Sequence, residues 1–72
     1  MQQEVSQQDT GQPLLLTIPQ AAKSLGISRS MLYAMLAKNE GPPTIRLGRS
    51  VRVSAASLRR WVEEQESEQS LK

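Results

Sequence analysis

Apolar residues in the middle of the chain recur at helical spacing twice, then alternate with polar residues, then recur at helical spacing again. A first helix is predicted over residues 18–25. Thr17 and Gln20 have the spacing of a capping box, in which each side chain satisfies a free backbone N–H of the other residue. Gly26 suits the left-handed residue that ends a helix. The pattern therefore predicts a short helix with defined ends.

A second helix is predicted almost immediately after the first. Ser28 is a favourable N-cap, and Leu32, Met35 and Leu36 have the spacing of one buried stripe. The helix is expected to end near Asn39, because a Gly-Pro-Pro run follows.

The alternating segment predicts a β-hairpin over residues 44–53, with Gly48, Arg49 and Ser50 as a three-residue loop. Such a loop predicts three cross-strand pairs: Leu47 with Val51, Arg46 with Arg52, and Ile45 with Val53. The first and third pairs are expected to face the core. The two arginines of the second pair would then lie side by side on the outer face.

A third helix is predicted after the hairpin, with Ser54 as its N-cap and Leu58, Trp61 and Val62 as its buried stripe. Core packing is the favoured role of Trp61, the only tryptophan. These elements predict an α+β fold, a small winged helix-turn-helix with three short helices and a two-stranded β-hairpin wing.

The two ends of the chain lack a periodic apolar pattern. Residues 1–13 are rich in Gln and polar, which predicts a disordered N-terminal arm. Residues 66–72 are predicted to be a flexible C-terminal tail. The ordered winged helix-turn-helix domain is therefore expected over residues 14–65.

The composition argues against catalysis. The 72 residues include no Cys and no His, which excludes disulfides, zinc sites built on thiolate or imidazole, and Ser-His or Cys-His nucleophile pairs. The longest apolar run, residues 14–16, is too short to span a membrane, and the first residues do not form a signal peptide. We expect a cytoplasmic protein that is not an enzyme, with no catalytic residue, cofactor, metal, small-molecule ligand or membrane partner.

Charge is unevenly distributed along the chain. Residues 14–62 hold eight Lys and Arg residues against one acid, Glu40, a formal charge of +7. The other acids lie before and after this segment. A basic segment between acidic ends favours a polyanionic partner such as double-stranded DNA, in which case the protein would be nucleoid-associated. A solvated cationic surface is the alternative that charge alone leaves open.

The spacing of Ala22, Gly26 and Leu32 suits two helices that cross at a sharp turn, as in a helix-turn-helix. An ordinary αα corner is the alternative. In the helix-turn-helix, Arg29, Ser30 and Tyr33 would lie on the exposed half of the second helix and contact base edges and nearby phosphates.

The hairpin supplies a second set of candidate contacts. Arg46 and Arg52, if directly opposed, repel each other unless a phosphate lies over them, and Arg49 at the tip can reach the sugar-phosphate backbone or a narrow minor groove. The alternative is internal neutralisation of the pair by a glutamate: Glu40, Glu63 or Glu64.

Two further residues are weaker candidates for phosphate contacts. Ser28 caps the second helix at its exposed end. Lys38 lies at the other end of that helix, where complementing the helix dipole is an equally good explanation.

Several motifs together resemble a known family. They are LTIPQAA at 16–22, LGISRS at 25–30 followed by Tyr33, GPP at 41–43, RLGRSVR at 46–52, and then Leu58 and Trp61. With them, the chain resembles the excisionase and AlpA-like helix-turn-helix proteins, relatives of the MerR-type winged helix. The resemblance implies a recognition helix over 29–38 and a wing over 46–52.

The resemblance also implies a biological role. Such a protein would be an excisionase, a recombination directionality factor that binds attachment-site DNA side by side with further copies, bends it, and directs an integrase toward excision of a mobile element. An AlpA-like transcriptional regulator with the same DNA contacts is the alternative, and a protein-interaction adaptor is a third hypothesis. Met31 and Ala34 depart from the family pattern, which implies weaker base readout and a larger share of the affinity from the wing.

Overall fold

The computed structural model describes residues 13–70, as three helices and a small antiparallel sheet. In chain order the elements are β1 (Leu15–Leu16), α1 (Ile18–Leu25), α2 (Arg29–Ala37), β2 (Ile45–Leu47), β3 (Ser50–Ser54) and α3 (Ala55–Ser70). The predicted α+β fold of helix-turn-helix type is confirmed. All of the predicted N-terminal arm except residue 13 lies outside the described residues, as do residues 71–72.

Both ends of α1 form as the sequence predicts. The backbone N–H of Gln20 donates to Thr17 Oγ1 at 3.2 Å, and the backbone N–H of Thr17 donates to Gln20 Oε1 at 2.9 Å. At the other end Gly26 takes a left-handed conformation with φ of 75°. The backbone N–H of Ile27 then donates to the carbonyl of Ala22 at 3.0 Å, which closes the helix as a Schellman motif. The chain can therefore turn sharply into α2 within three residues.

The capping box gives the first testable prediction. Thr17→Ala removes the acceptor for the Gln20 N–H, so we expect a loss of about 1 kcal/mol in the free energy of unfolding. Thr44→Ala, at an exposed position between elements, is the matched control and should change it by less than about 0.5 kcal/mol. Urea denaturation followed by circular dichroism measures both, and equal effects of the two substitutions would contradict the capping role.

Helix α2 also begins and ends close to the predicted residues. Ser28 Oγ accepts a hydrogen bond from the backbone N–H of Met31 at 3.1 Å. After the last helical residue, Asn39 takes a left-handed conformation with φ of 58°, and the N–H of Glu40 donates to the carbonyl of Met35 at 2.8 Å. Asparagine tolerates this conformation better than most residues, which explains why the helix ends here.

The predicted register of the hairpin is wrong by one residue. The observed pairs are Ile45 with Arg52, Arg46 with Val51, and Leu47 with Ser50. Only Gly48 and Arg49 remain in the loop. Gly48 has φ of 62° and Arg49 a negative φ, the pattern of a type II′ turn, whose twist matches that of the flanking strands. This two-residue turn replaces the predicted three-residue loop.

The shift of register changes which side chains face the core. Val53 is 0% exposed and Val51 packs at the edge of the core, as predicted, but Ile45 and Leu47 are exposed instead of inward. A slip of one residue moves every side chain of a strand to its other face. The predicted inward orientation of Ile45 and Leu47 is therefore wrong.

The sheet has a third strand that the sequence analysis did not predict. Strand β1 pairs with β3, with Leu15 opposite Ser54 and Leu16 opposite Val53, so β3 is the central strand of the order β1-β3-β2. The backbone N–H of Ala55 also donates to the carbonyl of Leu14 at 2.9 Å. The segment before α1 is thereby joined to the base of the hairpin.

One small core holds the helices on the sheet. Every element except β2 contributes to it, and its buried members are Leu16, Ile18, Ala21, Ala22, Leu32, Val53 and Leu58. Ala21 and Ala22 are small enough for α1 to lie close to its neighbours. Of the predicted stripe on α3, Leu58 is buried, whereas Trp61 and Val62 are only half-buried. The partly buried apolar residues that pack against the core are Leu25, Ile27, Leu36 and Val51, so the predicted core packing of Trp61 is wrong.

Helix α3 is longer than the sequence predicts. Ser54 caps it, since its Oγ accepts from the backbone N–H of Ser57 at 2.9 Å. The helix continues to Ser70, so residues 66–70 are helical and not the start of a tail. No Gly or Pro occurs after Ser54, and Glu and Gln are good helix formers, so nothing in the sequence ends the helix at residue 65.

Candidate nucleic-acid interface

An open depression of about 580 Å³ lies between α2, the hairpin and the start of α1. Tyr33 of α2 and Arg49 of the hairpin turn both line it. The helix-turn-helix interpretation requires these two residues on the same side of the molecule. The structure meets that requirement.

The candidate residues of α2 lie on its solvent-facing surface. Arg29, Ser30 and Tyr33 are all exposed, and Tyr33 is 52% exposed. Arg29 and Tyr33 are four residues apart, so they are neighbours on one face of the helix. Arg29 and Ser30 do not line the depression itself and belong to the adjoining surface of the N-terminal turn.

The three candidate arginines of the wing divide into two groups. Arg49 and Arg52 line the depression, while Arg46 does not. Arg46 pairs with Val51 and Arg52 with Ile45, so the two side chains leave opposite faces of the ladder. The predicted like-charged pair of Arg46 and Arg52 is therefore wrong, and so is the inference that a phosphate must lie between them.

Arg52 is the most constrained of these arginines. Its side chain is half-buried, and Nη1 donates to the carbonyl of Val51 at 3.0 Å. A guanidinium has five N–H donors, so most remain available to an anion in the depression. Arg49, at the exposed tip of the turn, has no such anchor among the hydrogen bonds of the described residues.

The electrostatic surroundings of the depression favour an anion. The first turn of α1 lines it through Ile18 and Pro19, so the positive end of that helix dipole adds to the charge of the two arginines. Glu63, one of the three predicted internal partners of the wing, instead lines a separate depression together with Arg59. Its position beside Arg59 argues against neutralisation of Arg52 by Glu63.

Three hydroxyl residues in the depression were missed by sequence reasoning as site residues. Thr17, Thr44 and Ser50 line it alongside the arginines. Hydroxyls that flank a cationic site commonly donate to phosphate oxygens. Thr17 had been identified only as a cap, and its hydroxyl proton remains free because the cap uses the oxygen as an acceptor. In the sequence, Ser50 lies directly after Arg49 and could have been recognised as a site residue. The predicted three-residue loop placed Ser50 in the loop, whereas it belongs to β3.

The two weaker candidates lie away from the depression. Ser28 is exposed at the start of α2, with its oxygen engaged as the cap. Lys38 is exposed at the other end, where it is the C-cap residue. Phosphate contacts by Ser28 and Lys38 stay predictions.

Two short helices joined by a sharp turn, with the second presented beside a cationic hairpin, define a helix-turn-helix protein with a wing. A family model described as a helix-turn-helix domain matches residues 15–66, well over half of the chain. The chain belongs to this family and is a DNA-binding helix-turn-helix protein. No curated protein sequence matches it significantly. Within residues 13–70, no helix has the length and apolar character needed to cross a membrane.

Proposed function

We propose that this protein is an excisionase, a recombination directionality factor that binds attachment-site DNA and directs an integrase toward excision of a mobile element. The observation that carries the proposal is the common depression lined by Tyr33 and by Arg49 and Arg52. It lets a helix and a hairpin grip one DNA duplex from the same side. The motifs shared with the excisionase and AlpA-like proteins support this role, and the protein would act by binding, without chemistry of its own.

The proposed binding mode follows from the directions of the elements. The N-terminal half of α2 enters the major groove with Arg29 and Ser30 toward base edges, and Tyr33 reaches a phosphate at the groove's edge. The hairpin then lies over the adjoining backbone, with Arg49 toward the minor groove and Arg52 on phosphate. Copies bound side by side would bend the DNA and position the integrase.

The role in excision is tested in cells. Deleting the gene should abolish excision of the element that carries it, measured by amplification across the rejoined chromosomal site. Expression of the wild-type chain from a plasmid should restore excision, and a chain with Arg49 and Arg52 replaced by Ala should not. Normal excision after deletion would contradict the proposal; in that case a response of an integrase-promoter reporter to the protein would identify the regulator instead.

Arg29 gives a sharper prediction at the level of DNA sequence. Arg29→Ala should cost about 1–3 kcal/mol on the preferred site and much less on other sequences, because a bidentate contact to a guanine edge is lost. Arg60→Ala, which removes an exposed charge from α3, is the matched control. Fluorescence anisotropy on a panel of duplexes measures both. A uniform loss on all duplexes would make Arg29 a phosphate contact.

A further inference from the structure

A second concave surface lies on the other side of α2. This groove, of about 390 Å³, is formed by the turn between α1 and α2, one face of α2, and one face of α3. Its apolar members are Leu25, Ile27, Met31, Met35, Trp61 and Val62. Met31 is 52% exposed, although it is a large apolar residue in a small domain. We call this surface the α2–α3 groove.

The depression between α2 and the hairpin that is proposed above to hold DNA, called the DNA depression below, and the α2–α3 groove use opposite sides of the same helix. Met31 lines the groove, whereas Tyr33, two residues later, lines the depression. Two residues correspond to about 200° of rotation around a helix. A duplex seated against Tyr33 and Arg49 therefore leaves the groove accessible.

The groove differs from the DNA depression in charge. Its lining contains Glu66 and no Lys or Arg. From Trp61 to Ser70, α3 carries four glutamates, Glu63, Glu64, Glu66 and Glu68, and no basic residue. Phosphates repel this half of the helix, so we expect it to point away from bound DNA. When DNA is bound, the apolar residues of the α2–α3 groove and the acidic half of α3 therefore stay exposed to solvent.

A symmetric contact with a second copy fits this charge poorly. In a two-fold arrangement the same patch meets itself, so Glu66 and its neighbours would face the same glutamates of the other copy. Like charges brought together at an interface are unfavourable.

The occupant that complements the α2–α3 groove is an amphipathic helix with an apolar stripe and basic flanks. Such a helix places its apolar stripe in an apolar groove. The α3 side of the groove runs from Trp61 to Gln69, about 12 Å, which matches two turns of such a helix.

We propose that the α2–α3 groove docks a basic amphipathic helix of a partner protein while the opposite side of α2 is on DNA. Apolar residues of that helix contact Met31 and Trp61, and its Lys or Arg residues pair with Glu66. This inference depends on the groove and its charge, and it does not depend on the excision role.

The only tryptophan of the chain lies in the groove and reports on its occupancy. The probe is a 14-residue helical peptide of Leu and Lys with leucines on one face, titrated into the full chain without DNA. We expect a saturable change in Trp61 fluorescence at one peptide per chain. A peptide with Glu in place of every Lys should bind at least tenfold more weakly.

Two charge-reversal variants separate the groove from the general acidity of α3. Glu66→Lys should weaken binding of the Leu-Lys peptide at least tenfold, whereas Glu68→Lys, at an exposed position that does not line the groove, should weaken it less than threefold. Both should bind duplex DNA equally, which tests DNA binding separately. Equal loss in the two variants, or a dimer that forms through the groove without peptide in sedimentation equilibrium, would overturn the proposal.

Discussion

Replacing Leu32 with alanine is expected to cost about 2–5 kcal/mol in the free energy of unfolding, because it opens a cavity at the centre of the core. Leu32 is 0% exposed and joins α2 to the buried residues of α1 and the sheet. At about 0.05–0.15 kcal/mol per residue, a domain of this size has only roughly 3–9 kcal/mol of stability. A large part of the Leu32→Ala population should therefore be unfolded at 37 °C.

Leu14→Ala is the matched control for this substitution. It deletes the same atoms at a position that is 86% exposed, so its effect should stay below about 0.5 kcal/mol. Urea and thermal denaturation followed by circular dichroism compare the two variants with the wild-type chain. A stable Leu32→Ala variant would mean that α2 is not held by the core described above.

Replacing both Arg49 and Arg52 with alanine is expected to have the largest effect on DNA affinity. If each guanidinium donates to a phosphate, each loss costs about 1.5–3 kcal/mol, or roughly 10- to 150-fold in affinity. The slope of log K against log salt should become shallower by about 2, since two fewer phosphates are neutralised. The loss should be similar on all sequences, because these contacts are to the backbone.

The control for the double variant has the same change in net charge. Arg59 and Arg60 are both exposed on α3, and neither lines the DNA depression. Their joint replacement by alanine should weaken binding by less than about threefold. Anisotropy isotherms at four or more salt concentrations measure both variants. Equal losses would show that overall charge, and not the depression, determines affinity.

Features that depend on neighbouring residues were predictable from the sequence. The capping box of Thr17 and Gln20, the left-handed Gly26 and the Ser28 and Ser54 caps each need only residues within one turn of the chain. Their hydrogen bonds form wherever the local spacing is right, so the ends of α1 and the starts of α2 and α3 agree with prediction.

Features that depend on competition between nearly equal arrangements were not predictable. The segment Gly48-Arg49-Ser50 permits a two- or a three-residue loop, and the glycine's positive φ selects the shorter one. Strand β1 has only two residues, too few for a visible alternation, and forms because β3 offers it a partner. The end of α3 carries no stop signal, so its length could not be fixed from composition.

The candidate site also combines residues whose positions were predictable from the sequence with residues whose positions were not. The helix residues Arg29, Ser30 and Tyr33 were correctly expected to be exposed on α2, because helical periodicity alone determines their direction. The orientation of the arginines in the wing depends on the register of the hairpin. The predicted register pairs Arg46 with Arg52, whereas the two side chains lie on opposite faces of the hairpin. The wrong prediction that Ile45 and Leu47 face the core followed from the same error in register, since both are exposed.

The placement of β3 has a mechanical consequence for the encounter with DNA. Its outer end forms the wing, its inner end pairs with β1, and it passes into α3 without an intervening loop. Because β3 is fixed at its inner end by β1 and α3, the distance between the hairpin and α2 is set by the fold and is already present without DNA. If the duplex binds as proposed, an interface that is already formed loses little conformational freedom on binding, so we expect the DNA to deform more than the protein.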